Sequence, residues 1–466
     1  MKNNNHSIKV LTLCVLLIIS SVLLCSCFKE KGNPAMQTKE AISSAMASDL
    51  EGTDVHNYGY VSDYLQEWGF GGYDITKFKY MERIAIAYYN YEGGLPERRE
   101  HARLCAEAFL TYFYDEIELT DSTELTDYLL VCYAGVVDDP YSVYRPAQQS
   151  ADYNTDMSGK FGGIGVVVEY DHDAQTVMVT SVYLDSPAEA AGIQVGDYII
   201  GVESVGIEEI GYTNIVNLIR GEIGTSVSIT VKRGDDTLVC TPTRAEVVER
   251  TVDYSIRGDI GYILITDFKG NTYEQFVEAV KAIEAANVKG VIFDLRGNLG
   301  GYTDTACNMI SYLVPTGHEL LSYTYKGYDR TVLYTEDDVD PVTGEVSDHV
   351  LDLPMVVLCN GYTASSGEIF TSAIRDYRND GTISAATIVG TLTYKKGIMQ
   401  RGFLYPDGSS LTMTVAYYAP PCGVNYHGIG ITPDVYVENT ATEDLQYDAA
   451  VLELEKLINA NLDLQK

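Results

Sequence analysis

The chain has 466 residues, 46% of them hydrophobic and 21% charged, with 41 Gly and 13 Pro. That is enough for about three domains and excludes a collagen-like, coiled-coil or low-complexity polypeptide. Acidic residues number 66 against 32 Lys and Arg, a net charge of −34 that repels phosphate backbones and excludes nucleic acid as an expected partner.

Lys2 and Lys9 precede an apolar run from Val10 to Leu24. The run is shorter than the ~20 residues a spanning helix needs and has the build of a signal-peptide core. It ends in Leu24-Cys25-Ser26-Cys27, which resembles the bacterial lipobox, an aliphatic residue three before and a small one just before a cysteine that takes a diacylglyceryl group. The expectation is a signal peptide over 1–26, lipidation at Cys27, a polar tether over 27–50, and a body held by lipid on the extracytoplasmic side of the cell membrane. The later cysteines contain no C-x-x-C pair and the seven His no H-E-x-x-H, so no metal site and no cofactor are expected, and with Cys132, Cys240 and Cys359 in apolar runs no disulfide framework is expected.

Apolar side chains recur at helical spacing over 84–91, 103–114 and 121–137, predicting a helical region over 51–150. From Gly159 the texture changes. Gly162-Gly163-Ile164-Gly165 feeds a β-branched run and residues 176–182 alternate as a half-buried strand does. Ser186-Pro187 opens a short helix that Gly192 stops, and a second helix is expected over 213–220 before a strand over 227–232. The run S-P-A-E-A-A-G-I-Q-V-G-D-Y-I-I-G-V from Ser186 to Val202, behind G-G-I-G-V, resembles a PDZ domain of the protease-associated type, placed over 155–245. Such a domain binds a polypeptide C-terminus by strand addition. The backbone amides around Gly163, Ile164 and Gly165 are the expected carboxylate site, since glycine leaves the approach open.

Strands over 260–265 and 288–295 flank a helix over 272–286, a βαβ unit opening a core over 250–440, with a C-terminal helix over 441–466. Asp294-Leu295-Arg296-Gly297-Asn298-Leu299-Gly300-Gly301 follows the second strand, and by itself reads as a tight turn or an anion cradle. Met355 to Cys359 is a short strand, after which Thr363-Ala364-Ser365-Ser366-Gly367-Glu368 turns into a helix whose N-terminal amides favour a developing oxyanion. Residues 391–400 alternate like a strand, with Lys396 and Gln400 in phase with Leu392, Tyr394 and Ile398. A lysine in that phase is a paired structural ion or a desolvated amine able to act as a base.

Together these segments resemble the carboxy-terminal processing, or tail-specific, peptidases, Ser-Lys serine proteases with a PDZ domain ahead of the catalytic core. The resemblance runs from Asp139-Pro140-Tyr141-Ser142-Val143-Tyr144 through D-L-R-G-N-x-G-G to Gly428-Ile429-Gly430-Ile431-Thr432-Pro433-Asp434. It implies a multidomain α+β protein: the N-terminal helical region, a PDZ-like β-rich domain and a crotonase-like mixed α/β core. It selects Ser365 as nucleophile, Lys396 as base and Gln400 as its orienting partner, with Ser366 and Gly300 or Gly301 as oxyanion donors. Ser366-Gly367 replaces the family's Ala-Ser, Lys395 replaces a Gly, and the segment 379–387 is expected to be a longer connection, a lid or exosite. Implied partners are proteins with free C-termini and the membrane through the lipid, with a homo-oligomer or an activating partner left open. The alternatives are a catalytically silent PDZ scaffold lipoprotein and a crotonase-type acyl-CoA enzyme, the latter leaving the PDZ unit and the lysine unexplained.

Overall fold

Four helices account for the first periodic segments in the computed structural model, which describes residues 59–464 apart from 116–121, 172–175, 208–211 and 342, together with 41, 43 and 44. The signal peptide, Cys27 and the tether lie outside the described residues. The helices are α1 (Val61–Glu67), α2 (Ile75–Tyr88), α3 (Arg98–Tyr112) and α4 (Ser122–Gly135). Asp74 caps α2 by accepting the amides of Thr76 and Lys77. Trp68, Phe78, Phe109 and Tyr133 form the centre of one apolar cluster, closed by Tyr405, Leu411 and Met413 from far along the chain. The helical region therefore shares its core with the catalytic unit. Strand β1 (Val143–Arg145) stitches the two together by pairing with residues 410–412.

Helix α5 (Ala147–Ser158) leads to β2 (Lys160–Gly163), which pairs with β9 (Ala245–Val248) as the chain enters and leaves the PDZ unit. Between them lie β3 (Val166–Asp171), β4 (Thr176–Val182), α6 (Pro187–Ala190), β5 (Tyr198–Val202), β6 (Val205–Gly206), α7 (Tyr212–Ile219), β7 (Ile229–Arg233) and β8 (Asp236–Cys240). The order β3-β4-β5-β7-β8 leaves β3 on an edge, where a further strand can add. Ile164, Val177, Ile199, Ile215 and Ile229 fill the interior.

The core runs β10 (Val252–Arg257), β11 (Ile260–Ile265), α8 (Thr272–Ala285), β12 (Gly290–Asp294), α9 (Thr303–Ser311), β13 (Glu319–Tyr325) and β14 (Thr331–Tyr334). It continues with β15 (Asp338–Val339), β16 (Val346–Ser347), β17 (Met355–Cys359), α10 (Ser366–Asp380), β18 (Ala386–Gly390), β19 (Ile398–Leu404), β20 (Ser410–Ala419), β21 (Val435–Tyr436) and α11 (Leu445–Leu464). One six-stranded sheet has the order β10-β11-β12-β17-β18-β21, parallel except at β10. Helices α8, α9 and α10 cover one face through Phe276, Ile310 and Phe370, while Leu454 of α11 covers Ile292, Val356 and Leu358 on the other. Coverage on both faces is why β12 and β17 are apolar along their length rather than alternating. Strands β1, β13, β14, β19 and β20 form a second sheet.

Two expectations are corrected. Helix α10 continues to Asp380 and β18 starts at Ala386, so the connection is a tight turn through Gly381 in the left-handed region, not a long loop. The run 391–400 is strand only from Ile398, because the amides of Lys395 and Lys396 are taken by a carboxylate instead of a ladder and Lys395 sits at φ 84°.

Candidate active site

Strands β12, β17 and β18 are neighbours and parallel, with Asp294 opposite Leu358 and Cys359 opposite Gly390. Their C-terminal ends therefore lie side by side, and the glycine loop, the serine turn and the lysine loop all leave from one edge of the sheet, where α/β folds place their sites.

Ser365 caps α10 with φ 52° and ψ −116°, a conformation costing a non-glycine residue about 1–3 kcal/mol. Its amide donates to Oε2 of Glu368 at 3.1 Å. Ser366 follows at the first helical position, where its own amide has no intrahelical acceptor. The Ser366 hydroxyl donates to the Gly301 carbonyl at 3.0 Å and joins the turn to the glycine loop.

Asn298, fully buried, organises that loop. Its Nδ2 donates to the Ile265 carbonyl at 2.9 Å, its carbonyl accepts the Ala364 amide at 2.9 Å, and its Oδ1 accepts the Gly300 amide at 2.8 Å. The Gly300 amide is thus engaged within its own loop, a correction to its expected role as an oxyanion donor. Gly300 is needed for space instead. A Cβ there, at φ 104°, would lie 2.8 Å from the Ser365 Cβ and 3.0 Å from the Ser366 nitrogen. Gly301 is bridged to Phe268 through the Gly300 carbonyl and the Tyr302 amide, and its own carbonyl accepts the Ser366 hydroxyl.

Glu368 joins the serine to the lysine. Its Oε2 also accepts the Lys396 amide at 2.7 Å, and Oε1 accepts the Lys395 amide at 2.8 Å and the Thr393 hydroxyl at 2.5 Å. Burial pushes this carboxyl up from its ordinary range, against the pull of those donors. The carbonyl side of the lysine loop is held by the closing segment. The Tyr418 phenol donates to the Lys396 carbonyl at 2.7 Å, Asn425 Nδ2 to the Gly397 carbonyl at 2.6 Å, and the Gly428 amide to the Lys395 carbonyl at 3.0 Å.

The Lys396 ammonium lies 4.4 Å from the centre of the Tyr141 ring. Burial lowers it to about 8, with the charges of Asp139 and Glu368 working the other way. Asp139 is itself buried, its carboxylate accepting the Tyr141 amide at 2.9 Å and the Ser142 hydroxyl at 2.6 Å. The D-P-Y-S motif thus brings an aromatic wall and a negative charge to the lysine from outside the core.

Among the described residues there is no hydrogen bond between Ser365 and the Lys396 amine, nor between Lys396 and Gln400. Gln400 turns to Thr414, donating Nε2 to Oγ1 at 3.1 Å beside a bulge in β19. The structure thus gathers Ser365, Ser366, Gly301 and Lys396, and places Gln400 one contact further out. In the PDZ unit, Gly163 lies in β2 against Ala245, and Ile164 is buried in the domain core with its carbonyl accepting the Ala188 amide at 2.8 Å. The glycines make room for the chain itself. A Cβ on Gly162 would meet the Gly221 carbonyl at 2.0 Å, and one on Gly165, at φ 79°, the Ser186 Cβ at 2.5 Å.

A match to peptidase family S41 covers residues 259–437, and a PDZ domain match covers residues 178–233. A probable CtpA-like serine protease of Staphylococcus saprophyticus is 30% identical over 357 residues, 76% of this chain and 70% of that one. The chain belongs to peptidase family S41. A counterpart in Staphylococcus haemolyticus is also 30% identical, over 345 residues, 74% of this chain and 66% of its own length. The chain thus spans about two thirds of these relatives. Among solved structures it is similar to a photosystem II D1 C-terminal processing protease, with 22% identity, 77% of this chain and 92% of that one covered, and a TM-score of 0.43. The S41 member described here is a serine-type peptidase with a PDZ domain ahead of a mixed α/β core, as its motifs imply.

Residue-by-residue reading missed Glu368, Asn298, Tyr141 and Tyr418 as site residues. Glu368 had a signal in the sequence, since Ser followed three residues later by Glu before an apolar run is a helix-start pattern that brings a carboxylate back to the cap.

Proposed function

We propose that this S41 peptidase is an extracytoplasmic, lipid-anchored endopeptidase that cleaves proteins near their C-termini through a Ser365 acyl-enzyme. The supporting observation is that the main-chain amides of Ser365 and Lys396 converge on one carboxylate while the lysine amine is lowered to about 8. At pH 7 roughly a tenth of such amines are neutral, and only the neutral amine accepts a proton. Lys396 takes the hydroxyl proton as Ser365 attacks the peptide carbonyl, closing on the amine by side-chain rotation. The tetrahedral oxygen is held by the Ser366 and Gly301 amides. Lys396 returns the proton to the leaving nitrogen, and water, deprotonated by the same amine, releases the acyl group.

The open edge of β3 supports capture of the substrate's C-terminal strand by the PDZ unit, with the amides around Gly163, Ile164 and Gly165 at its carboxylate end. Anchoring rests on the lipobox-like Leu24-Cys25-Ser26-Cys27. Among the described residues no helix is long and apolar enough to cross a membrane.

The test is cleavage of an unfolded reporter with a free apolar C-terminus, beside the same reporter amidated, by the chain lacking residues 1–27 and by its Ser365→Ala variant. Cleavage of the free form alone, lost in the variant, is the expected result. Tight peptide binding by both proteins with no cleavage by either supports the silent scaffold instead. Retention of a Cys27→Ser chain at the membrane after signal cleavage would count against lipidation.

A further inference from the structure

A phenol has one proton to donate and lone pairs for two acceptor bonds. Tyr418, on β20 and fully buried, has spent its proton on the Lys396 carbonyl at 2.7 Å. Its oxygen accepts the Tyr426 hydroxyl at 3.1 Å, and the Ser365 side chain lies beside the same phenol. One oxygen therefore holds the backbone of the base and stands beside the side chain of the nucleophile. We infer that Tyr418 is a positioning residue for the Ser-Lys pair, with Tyr426 fixing the rotation of its phenol; this rests on the Ser-Lys reading above.

The chemistry follows from what Tyr418 cannot do. Its proton is committed, and burial pushes its ionisation far above the working range. It is no base for Ser365 and competes with Lys396 for no proton. The service left to its oxygen is to offer a lone pair to the serine O–H, which holds the rotamer of Oγ while the proton stays on serine for a neutral amine to take. Holding the Lys396 carbonyl with the same group sets both reactants in one frame across a loop with no ladder of its own.

The test compares Tyr418→Phe, Tyr426→Phe and Lys396→Ala in the full chain. Tyr418→Phe keeps the ring and removes one oxygen. The expected result is a fall of about 5- to 10-fold in kcat, the worth of one buried hydrogen bond, with KM unchanged and an equal fall in the rate at which a fluorophosphonate labels Ser365. Tyr426→Phe lowers kcat in the same direction by about two- to three-fold, since it removes a donor to the phenol and no contact to Ser365 or Lys396. A residue that only packs the core would lower Tm and leave kcat where it was. Wild-type kcat in Tyr418→Phe overturns the inference. If Tyr418→Phe does not fold, wild-type kcat in Tyr426→Phe overturns it. Activity surviving in Lys396→Ala would instead overturn the Ser-Lys reading on which it stands.

Discussion

The main-chain amides of Ser365 and Lys396 meet on a single atom, Oε2 of Glu368, at 3.1 and 2.7 Å. Residues 31 positions apart are thereby set to one origin, and neither can shift without the other losing a charge-assisted bond. Glu368 is fully buried and spends both oxygens on the site, so its removal leaves three amides and the Thr393 hydroxyl without an acceptor. Each such orphan costs about 1–3 kcal/mol. Glu368→Ala is expected to lower Tm sharply and to abolish labelling of Ser365. Glu368→Gln, which keeps one oxygen, is expected to fold and to lose activity by about 100-fold, the scale of a displaced catalytic geometry. Wild-type labelling in Glu368→Gln would refute this role.

The proposed base, Lys396, sets the expected pH dependence. With the amine at about 8, kcat/KM is expected to fall tenfold per pH unit below that value and to level off above it. A pH profile flat between roughly 7 and 9, one unit to either side of that value, would exclude Lys396 as the base.

The same amine costs stability. Its folded value of about 8 lies below the ordinary 10.5, so between those values the unfolded chain binds more protons and stability rises with pH. Lys396→Met is expected to abolish cleavage and to raise Tm at pH 7, the gain shrinking as pH climbs through that window. Thermal melts across the window check it, and a lower Tm at pH 7 would show that the lysine contributes more through Tyr141 than its burial costs.

Asp139 supplies a negative charge that raises the Lys396 amine. Asp139→Asn keeps an oxygen for the turn and removes the charge, so the acid limb of kcat/KM is expected to move to lower pH. The ratio of rates at acid and alkaline pH reads this without reference to the amount of folded enzyme. An unmoved acid limb would assign Asp139 a purely structural part in the D-P-Y-S turn.

The two glycines of the loop separate in their effects. A methyl on Gly300 points at the Ser365 Cβ, whereas one on Gly301 would lie 2.2 Å from the Phe268 carbonyl. Gly300→Ala is expected to cost activity by about 100-fold, as displacement of the catalytic serine does. Gly301→Ala is expected to lower Tm through the broken bridge as well. Ser365 labelling and melting curves measured together distinguish the two, and an active Gly300→Ala enzyme would show that the serine turn yields to the methyl.

Much of the architecture was legible because it depends on local patterns. Strands Thr176–Val182, Ile260–Ile265 and Met355–Cys359 begin and end where the apolar runs do, and α8 differs from expectation by one residue. The order of G-G-I-G-V, the S-P-A block, D-L-R-G-N-L-G-G and the serine turn was enough to imply the family and to single out Ser365 and Lys396.

What the residues determined alone was therefore the choice of elements and the chemical types available: a serine at a helix start, an apolar-phased lysine, two glycines after a strand. Tertiary structure decided which polar groups remain free to act. The Gly300 amide looks available in sequence and is engaged by Asn298, while Gln400 faces Thr414. Lys396 leaves the strand its alternation implies because a buried carboxylate competes for its amide. These outcomes turn on partners far apart in the chain, Asp139 and Tyr141 against Lys396, and Tyr418 against Lys396. A hydrogen bond between distant residues is settled by where the folded backbone brings them, and no local spacing encodes it.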